Sequence, residues 1–219
     1  YSLRNLLIVA QVCVSLVLLI GAGLFVRSLR NAQSIDPGFE MDHLLTMKLD
    51  TTVGGMEATK AQAFYKNVVE QTRNLPGVKS VTMASSGPLE LISGLRSVYI
   101  EGYVPRPGED MNYSFNIVAP EYFQTMGIPL VQGREFTEAD GEKAQQVAIV
   151  NETMARTFWP NENPIGKRIS DQSPTGPFRT VVGVAKESKY LTLGEAPRPY
   201  YYIPILQDFF PSARLHIRT

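Results

Sequence analysis

Hydrophobic positions along the chain follow three different periods. Residues 6–26 form an apolar run without a single charge. A helix over this run, rising about 1.5 Å per residue, reaches roughly 31 Å, the thickness of a bilayer's hydrocarbon core. Arg4 precedes it and Arg27 and Arg30 follow, placed to snorkel into the headgroups. Over residues 44–50 the period drops to two. Leu45, Met47 and Leu49 share one face and Thr46, Lys48 and Asp50 the other, the pattern of a half-buried strand. Over residues 58–75 the period is helical: Ala61, Phe64, Val68 and Leu75 form a stripe, with Lys60, Lys66, Glu70 and Arg73 off it. Pro76-Gly77 stops that helix and residues 78–84 read as a strand, so a βαβ-like unit opens the soluble part.

The remaining elements are shorter. Residues 28–39 predict a helical continuation of the apolar run, ended by Asp36-Pro37-Gly38. Residues 85–94, rich in Ser, Gly and Pro, predict a loop, and 97–101 a short strand. Tyr113, Phe115 and Ile117 alternate with Ser114 and Asn116 as another strand. Residues 120–126 predict a short helix opened by Pro120 and closed by Gly127. An edge strand is expected at 129–132 and a strand at 146–150. Asn151 then caps a helix over 152–158, which Pro160 and Pro164-Ile165-Gly166 end. Strands at 179–184, 200–203 and 214–218 complete an α+β domain with no fixed repeat.

The apolar run admits three readings. A signal peptide has an h-region of about 7–15 residues, and Gly21-Ala22-Gly23 offers a cleavage region. The run nevertheless continues through Leu24-Phe25-Val26 into arginines, which favours an uncleaved transmembrane span. A buried soluble helix needs a core that surrounds it, rare in a domain of this size. Gln11, Ser15 and Ala22 fall near one stripe, suited to packing against other membrane helices, or without consequence in a lone anchor. Residues 1–30 are thus expected to hold the span, at about 6–26, with its flanks, and residues 31–219 an extracytoplasmic domain. The chain opens on Tyr1 and stops within a strand-like segment, the form of a fragment cut at both ends.

Composition narrows the function. Lys plus Arg and Asp plus Glu both total 21, so the net charge is zero, and the basic residues are scattered. The basic stripe of a nucleic-acid binder is missing. Cys13, inside the apolar run, is the sole cysteine, which excludes an internal disulfide and a cysteine-based zinc site. His43 and His216 lack partners at ligand spacing and are expected to be surface or strand histidines. There is no Gly-x-Ser-x-Gly, no Walker A loop and no dinucleotide fingerprint, and Gly21, Gly23, Gly54 and Gly55 form no phosphate-binding turn. Glu138, Asp140 and Glu142 fall short of a calcium loop and predict a solvated turn. Asn112-Tyr113-Ser114 and Asn151-Glu152-Thr153 match the glycosylation pattern, although Asn151 already has a capping role. Tyr200-Tyr201-Tyr202 is either a binding face or, as the strand period favours, residues alternating between core and surface. No catalytic, cofactor-binding or metal-binding residue is assigned.

Ordered blocks through nearly the whole chain resemble ABC transporter permeases of the MacB/FtsX type, in particular the acidobacterial-type orphan permeases. The blocks are residues 6–30, with the trailing Arg27-Ser28-Leu29; Leu75-Pro76-Gly77-Val78; residues 122–130 leading into Gly133-Arg134-Glu135-Phe136 and Asp140; Val147 to Glu152 with Asn163-Pro164-Ile165-Gly166-Lys167; and Val181-Val182-Gly183-Val184 with Pro197-Arg198-Pro199 and Tyr202-Ile203-Pro204. The resemblance implies a two-lobed MacB-like periplasmic core domain with βαβ units, truncated at its C-terminal end. It implies a non-catalytic permease subunit in the inner membrane, its domain in the periplasm or outside the cell. That subunit acts as a homodimer or pseudo-dimer and relays motion driven by a separate cytoplasmic ATPase. The alternative is a singly anchored extracytoplasmic binding or sensor module.

Overall fold

The computed structural model describes residues 3–33, 35–90 and 94–219. The chain divides into two compact units, Tyr1–Asp36 and Pro37–Thr219. The first consists of helix α1, Leu3–Gln33. Its stretch Leu3–Asn31 is long and apolar enough to cross a membrane, and none of it is buried. The helical continuation foreseen over 28–39 is therefore the last part of α1 itself. Phe39 is not helical and lies buried in the second unit's core.

The second unit contains one hydrogen-bonded sheet. Its strands are β1 (Leu44–Asp50), β2 (Ser80–Ala84), β3 (Gly94–Ser97), β4 (Tyr99–Ile100), β5 (Asn112–Val118), β6 (Leu130–Gly133), β7 (Val147–Asn151), β8 (Arg168–Ser170), β9 (Arg179–Ala185), β10 (Tyr200–Pro204) and β11 (Ser212–Arg218). Its helices are α2 (Ala58–Arg73), α3 (Tyr122–Met126) and α4 (Glu152–Phe158). The strand order is β1-β11-β2-β5-β10-β7-β9-β8-β4, with β3 also on β5 and β6 also on β9.

The opening βαβ unit is present in split form. β11 lies antiparallel between β1 and β2, and α2 makes the crossover between those two. A second parallel pair, β7 and β9, brackets α4, and a third joins β5 to β10. Such parallel neighbours need a crossover, which the intervening helices and loops supply.

Several boundaries differ from the sequence pattern for local reasons. α2 turns Ala61 and Tyr65 inward, not Phe64 and Leu75, which stay exposed. The Tyr65 hydroxyl sets this rotation by donating to the Pro211 carbonyl at 2.5 Å. α3 begins at Tyr122, not Pro120, because Glu121 sits in the left-handed region at φ 63. β3 starts at Gly94, the last residue of the expected loop, whose residues 91–93 lie outside the described ones, and pairs with β5, and β8, three residues between turns, leaves no period to detect. Gly133 is a forced choice. Its φ is +74 and a Cβ there would lie 2.1 Å from the Val182 carbonyl oxygen, so only glycine lets β6 approach β9 this closely.

Among the described residues, three cores form around the sheet. One gathers Tyr65, Val81, Met83, Ala213 and Leu215 under α2. A second surrounds α3, with Phe123, Met126 and Phe136 against Tyr200 and Tyr202. The third lies under α4, with Met154, Phe158 and Trp159 against Val150, Val181 and Tyr201. Arg218, at the end of β11, donates to the carbonyls of Thr125 (2.6 Å), Asp42 (3.0 Å) and Glu40 (3.0 Å), fastening the segment that enters β1 to both β11 and α3.

Candidate functional site

Strand β10 runs parallel to β5 on one side and antiparallel to β7 on the other, and all five of its residues are buried. Its period of two sends Tyr200 and Tyr202 into the core around α3 and Tyr201 and Ile203 into the core under α4. This corrects the expectation that the tyrosine run alternates between core and surface. Both faces are covered, and none of the three rings offers a binding face.

Around Tyr200 the side chains form a stacked aromatic block with one polar centre. Tyr190 stacks on Tyr200 with centroids 3.7 Å apart and planes 2° from parallel, and Phe123 meets Tyr202 edge-on at 4.8 Å. Burial pushes the Tyr190 phenol up to about 12 and those of Tyr200 and Tyr202 well above the ordinary range. They stay neutral at physiological pH and supply hydrogen bonds, not acid–base chemistry. Asn151 is the polar centre. Its Oδ1 caps α4 by accepting from the Met154 amide (2.9 Å) and also accepts from the Tyr200 amide (3.0 Å). Its Nδ2 donates to Arg198 O (2.8 Å), Glu187 Oε2 (3.0 Å) and Tyr190 Oη (3.2 Å). The capping role read from the sequence holds. Fully buried in this way, Asn151 is closed to glycosylation in the folded state. Asn112 is exposed, its amide tied to Asp110 and Ser97.

On the other face a charged cluster packs against Tyr201. Arg179, 2 % exposed, donates to Asp171 at 3.3 Å, and Arg96 bridges Asp171 (2.6 Å) and Asp208 (2.7 Å) while its guanidinium covers the Phe115 ring at 4.2 Å. Burial works against the Arg96 charge, but Asp208 and Asp171 outweigh it and hold its pKa above the usual value. Asp171 and Arg179 are eight residues apart, whereas Arg96 and Asp208 are distant from both in sequence, and the set carries no spacing signature. The sheet order, with β3 on β5 and β5-β10-β7-β9-β8 side by side, brings them together.

The other residues singled out in the sequence are dispersed. His43 is exposed in a left-handed turn at φ 57. His216 is a strand residue as expected, but it is fully buried, not on the surface. Its Nδ1 lies 3.0 Å from Thr46 Oγ1, and burial pushes its pKa down to about 4. Glu138 and Glu142 are exposed, whereas Asp140 is buried. The Arg134 guanidinium grips Asp140 through two 2.7 Å hydrogen bonds and holds its carboxyl below the usual range, so this turn is an ion-paired staple, not a solvated patch. Among the described residues, no three His, Cys, Asp or Glu side chains gather closely enough to hold a metal ion. Gln11, Cys13, Ser15 and Ala22 lie exposed along α1.

A surface recess of about 270 Å³ lies between α4 and the β6–β9 edge, over Trp159 and Val184. Its rim charges are already paired, Arg156 with Glu152 at 4.0 Å and Glu162 with Lys167. A second cavity, about 10 Å³ beside Tyr122 and Tyr200, has room for about one water.

Comparison with known proteins gives a consistent likeness. The sequence matches the family model of the MacB-like periplasmic core domain over residues 4–219. It is 35 % identical over 72 residues to the macrolide export ATP-binding/permease protein MacB of Aggregatibacter actinomycetemcomitans, covering 33 % of this chain and 11 % of that protein. It is 35 % identical over 82 residues to a probable export ATP-binding/permease protein of Pseudomonas fluorescens, covering 36 % and 12 %. The matched segments thus span little more than a tenth of these relatives. In fold the chain is similar to the periplasmic region of MacB from Actinobacillus actinomycetemcomitans, with a TM-score of 0.52 at 17 % identity over 86 % of this chain and 79 % of that one.

Proposed function

We propose, from the premise that this chain belongs to the family of MacB-like periplasmic core domains, that it is the anchored extracytoplasmic part of a permease subunit in an export system. In this reading α1 lies in the inner membrane, residues 37–219 lie in the periplasm or outside the cell, and a separate ATPase on the other side drives the domain's motion. The subunit works as a dimer or pseudo-dimer. The domain performs no bond-making step. Among the described residues, all but four buried side-chain polar atoms (Thr125 Oγ1, Gln146 Oε1, Tyr201 Oη and His216 Nε2) have hydrogen-bond partners, which suits a body that transmits displacement.

The observation that carries this reading is the family match over residues 4–219, which takes in the apolar helix together with the domain. The test is an export assay on the complete transporter. Replacing residues 37–219 by an unrelated folded domain is expected to abolish export, while the protein still fractionates with membranes and co-purifies with its ATP-binding subunit. Export that survives the replacement overturns the reading. A complete protein that recruits no ATP-binding subunit belongs instead with singly anchored binding or sensor modules.

A further inference from the structure

The chain is fastened to the domain before its first strand begins. Residues 37–43, which lead into β1, form neither helix nor strand. They nevertheless touch three parts of the domain that come from distant stretches of sequence. The Pro37 carbonyl accepts from the Lys189 amide at 2.7 Å, in the connection between β9 and β10. The Glu40 amide donates to the Met126 carbonyl at 2.9 Å, at the end of α3. The Arg218 guanidinium, on β11, donates to the Glu40 and Asp42 carbonyls and pairs with the Glu40 carboxylate at 3.1 Å.

Side chains complete the seat. Pro37 is buried, and Phe39 belongs to the buried core that also holds Tyr122, Phe123, Ile128 and Tyr190. Between them Gly38 stands at φ +77, and a Cβ there would lie 2.4 Å from the Glu187 carbonyl oxygen and 2.7 Å from Ser188 Cα. Only glycine lets the backbone lie this close to the β9–β10 connection. A segment that merely spans a gap runs over the surface and tolerates insertions. This one is sunk into the core. β1, by contrast, is an edge strand, bonded among the described residues to β11 alone. Close-packed interiors have low compressibility and pass strain on, so the Phe39 seat is the stiffer of the two attachments.

We infer that residues 37–42 are a docked coupling strap: displacement of α1 enters the domain at the Phe39 seat, in the core around α3, and not through β1. The inference rests on the relay proposed above, yet the seat itself is measurable without transport.

Hydrogen exchange on the full chain in nanodiscs tests the seat. The Glu40 and Lys189 amides are expected to be protected. Gly38→Val is expected to abolish protection at both while the β10 amides exchange as before. Phe39→Ala, which empties the seat without straining the backbone, is expected to give the same pattern. Fast exchange at both amides in the unaltered chain, or protection that survives both substitutions, overturns the seat. Export by the complete transporter tests the route. Gly-Ser-Gly inserted after Asp36 puts slack ahead of the strap, and the same insertion after Asp42 puts it between the strap and β1. Export is expected to be lost with the first and kept with the second, the β10 amides staying protected in both. Loss of export with the second insertion places the entry point at β1 and overturns the strap. Export kept with both insertions, over a protected seat, leaves the seat standing and counts against the relay.

Discussion

Strands β1 and β10 both carry bulky side chains in a period of two, and their surroundings differ in almost every respect. β10 is hydrogen-bonded on both edges, covered on both faces and buried at every position. Among the described residues β1 is bonded to β11 alone, and its Leu45 and Met47 stay 59 % and 49 % exposed although they share a face with half-buried Leu49. The lesson is that a strand's contribution to stability is set by its place in the sheet order, not by its own apolarity. Burial of apolar area is what stabilises, and β1 leaves most of its own in water.

The sharpest way to break the contrast is Tyr202→Ala. Emptying a site that is 1 % exposed is expected to destabilise the chain by about 4 kcal/mol in urea unfolding followed by near-UV circular dichroism. Asp171→Ala comes next, at about 3 kcal/mol, because it leaves the buried Arg179 charge with only the longer 3.8 Å contact to Asp208. His216 sharpens the comparison through pH. Its pKa falls from about 6.5 unfolded to about 4 folded, so below pH 6.5 the unfolded chain binds the extra proton. Stability is complete above the unfolded value and declines as pH falls from about 6.5 to about 4, by an amount on the order of 2–3 kcal/mol. Urea titrations at pH 7 and pH 5 are expected to differ accordingly, and His216→Leu should flatten that difference. Asn151→Ala removes a helix cap and is expected to lower stability by about 1–2 kcal/mol. The smallest effect belongs to the edge: Met47→Thr should change stability by less than about 0.5 kcal/mol. A loss at Met47 rivalling that at Tyr202 would erase the distinction between the two strands.

Local signals in the sequence located most elements. The uncharged run, the Pro76-Gly77 stop and the Asn151 cap each act through neighbouring backbone, so their outcome is visible over a few residues. Whether a face is covered depends on which strands lie beside it. Leu45 and Met47 have the pattern of core residues and lack a helix above them, while Tyr201 has the pattern of a surface residue and finds α4's core. His216 is buried for the same reason, since β11 sits between two strands that come from the far end of the chain. The Arg96–Asp171–Arg179–Asp208 cluster was illegible because Arg96 and Asp208 reach the Asp171–Arg179 pair only through the sheet order, and a charge in a sequence does not announce its partner.

Arg218 has a mechanical consequence. β1 enters the sheet at Leu44 directly opposite Arg218, so tension arriving through residues 37–43 loads the ladder at one end. A ladder pulled that way peels rung by rung, whereas one pulled along its length must shear all its rungs together. The Arg218 guanidinium, bonded to the carbonyls of Glu40 and Asp42, is a rivet at the point where peeling would begin. A tug on the incoming chain is thereby passed to the end of β11 and to α3 before the first rung of the ladder opens.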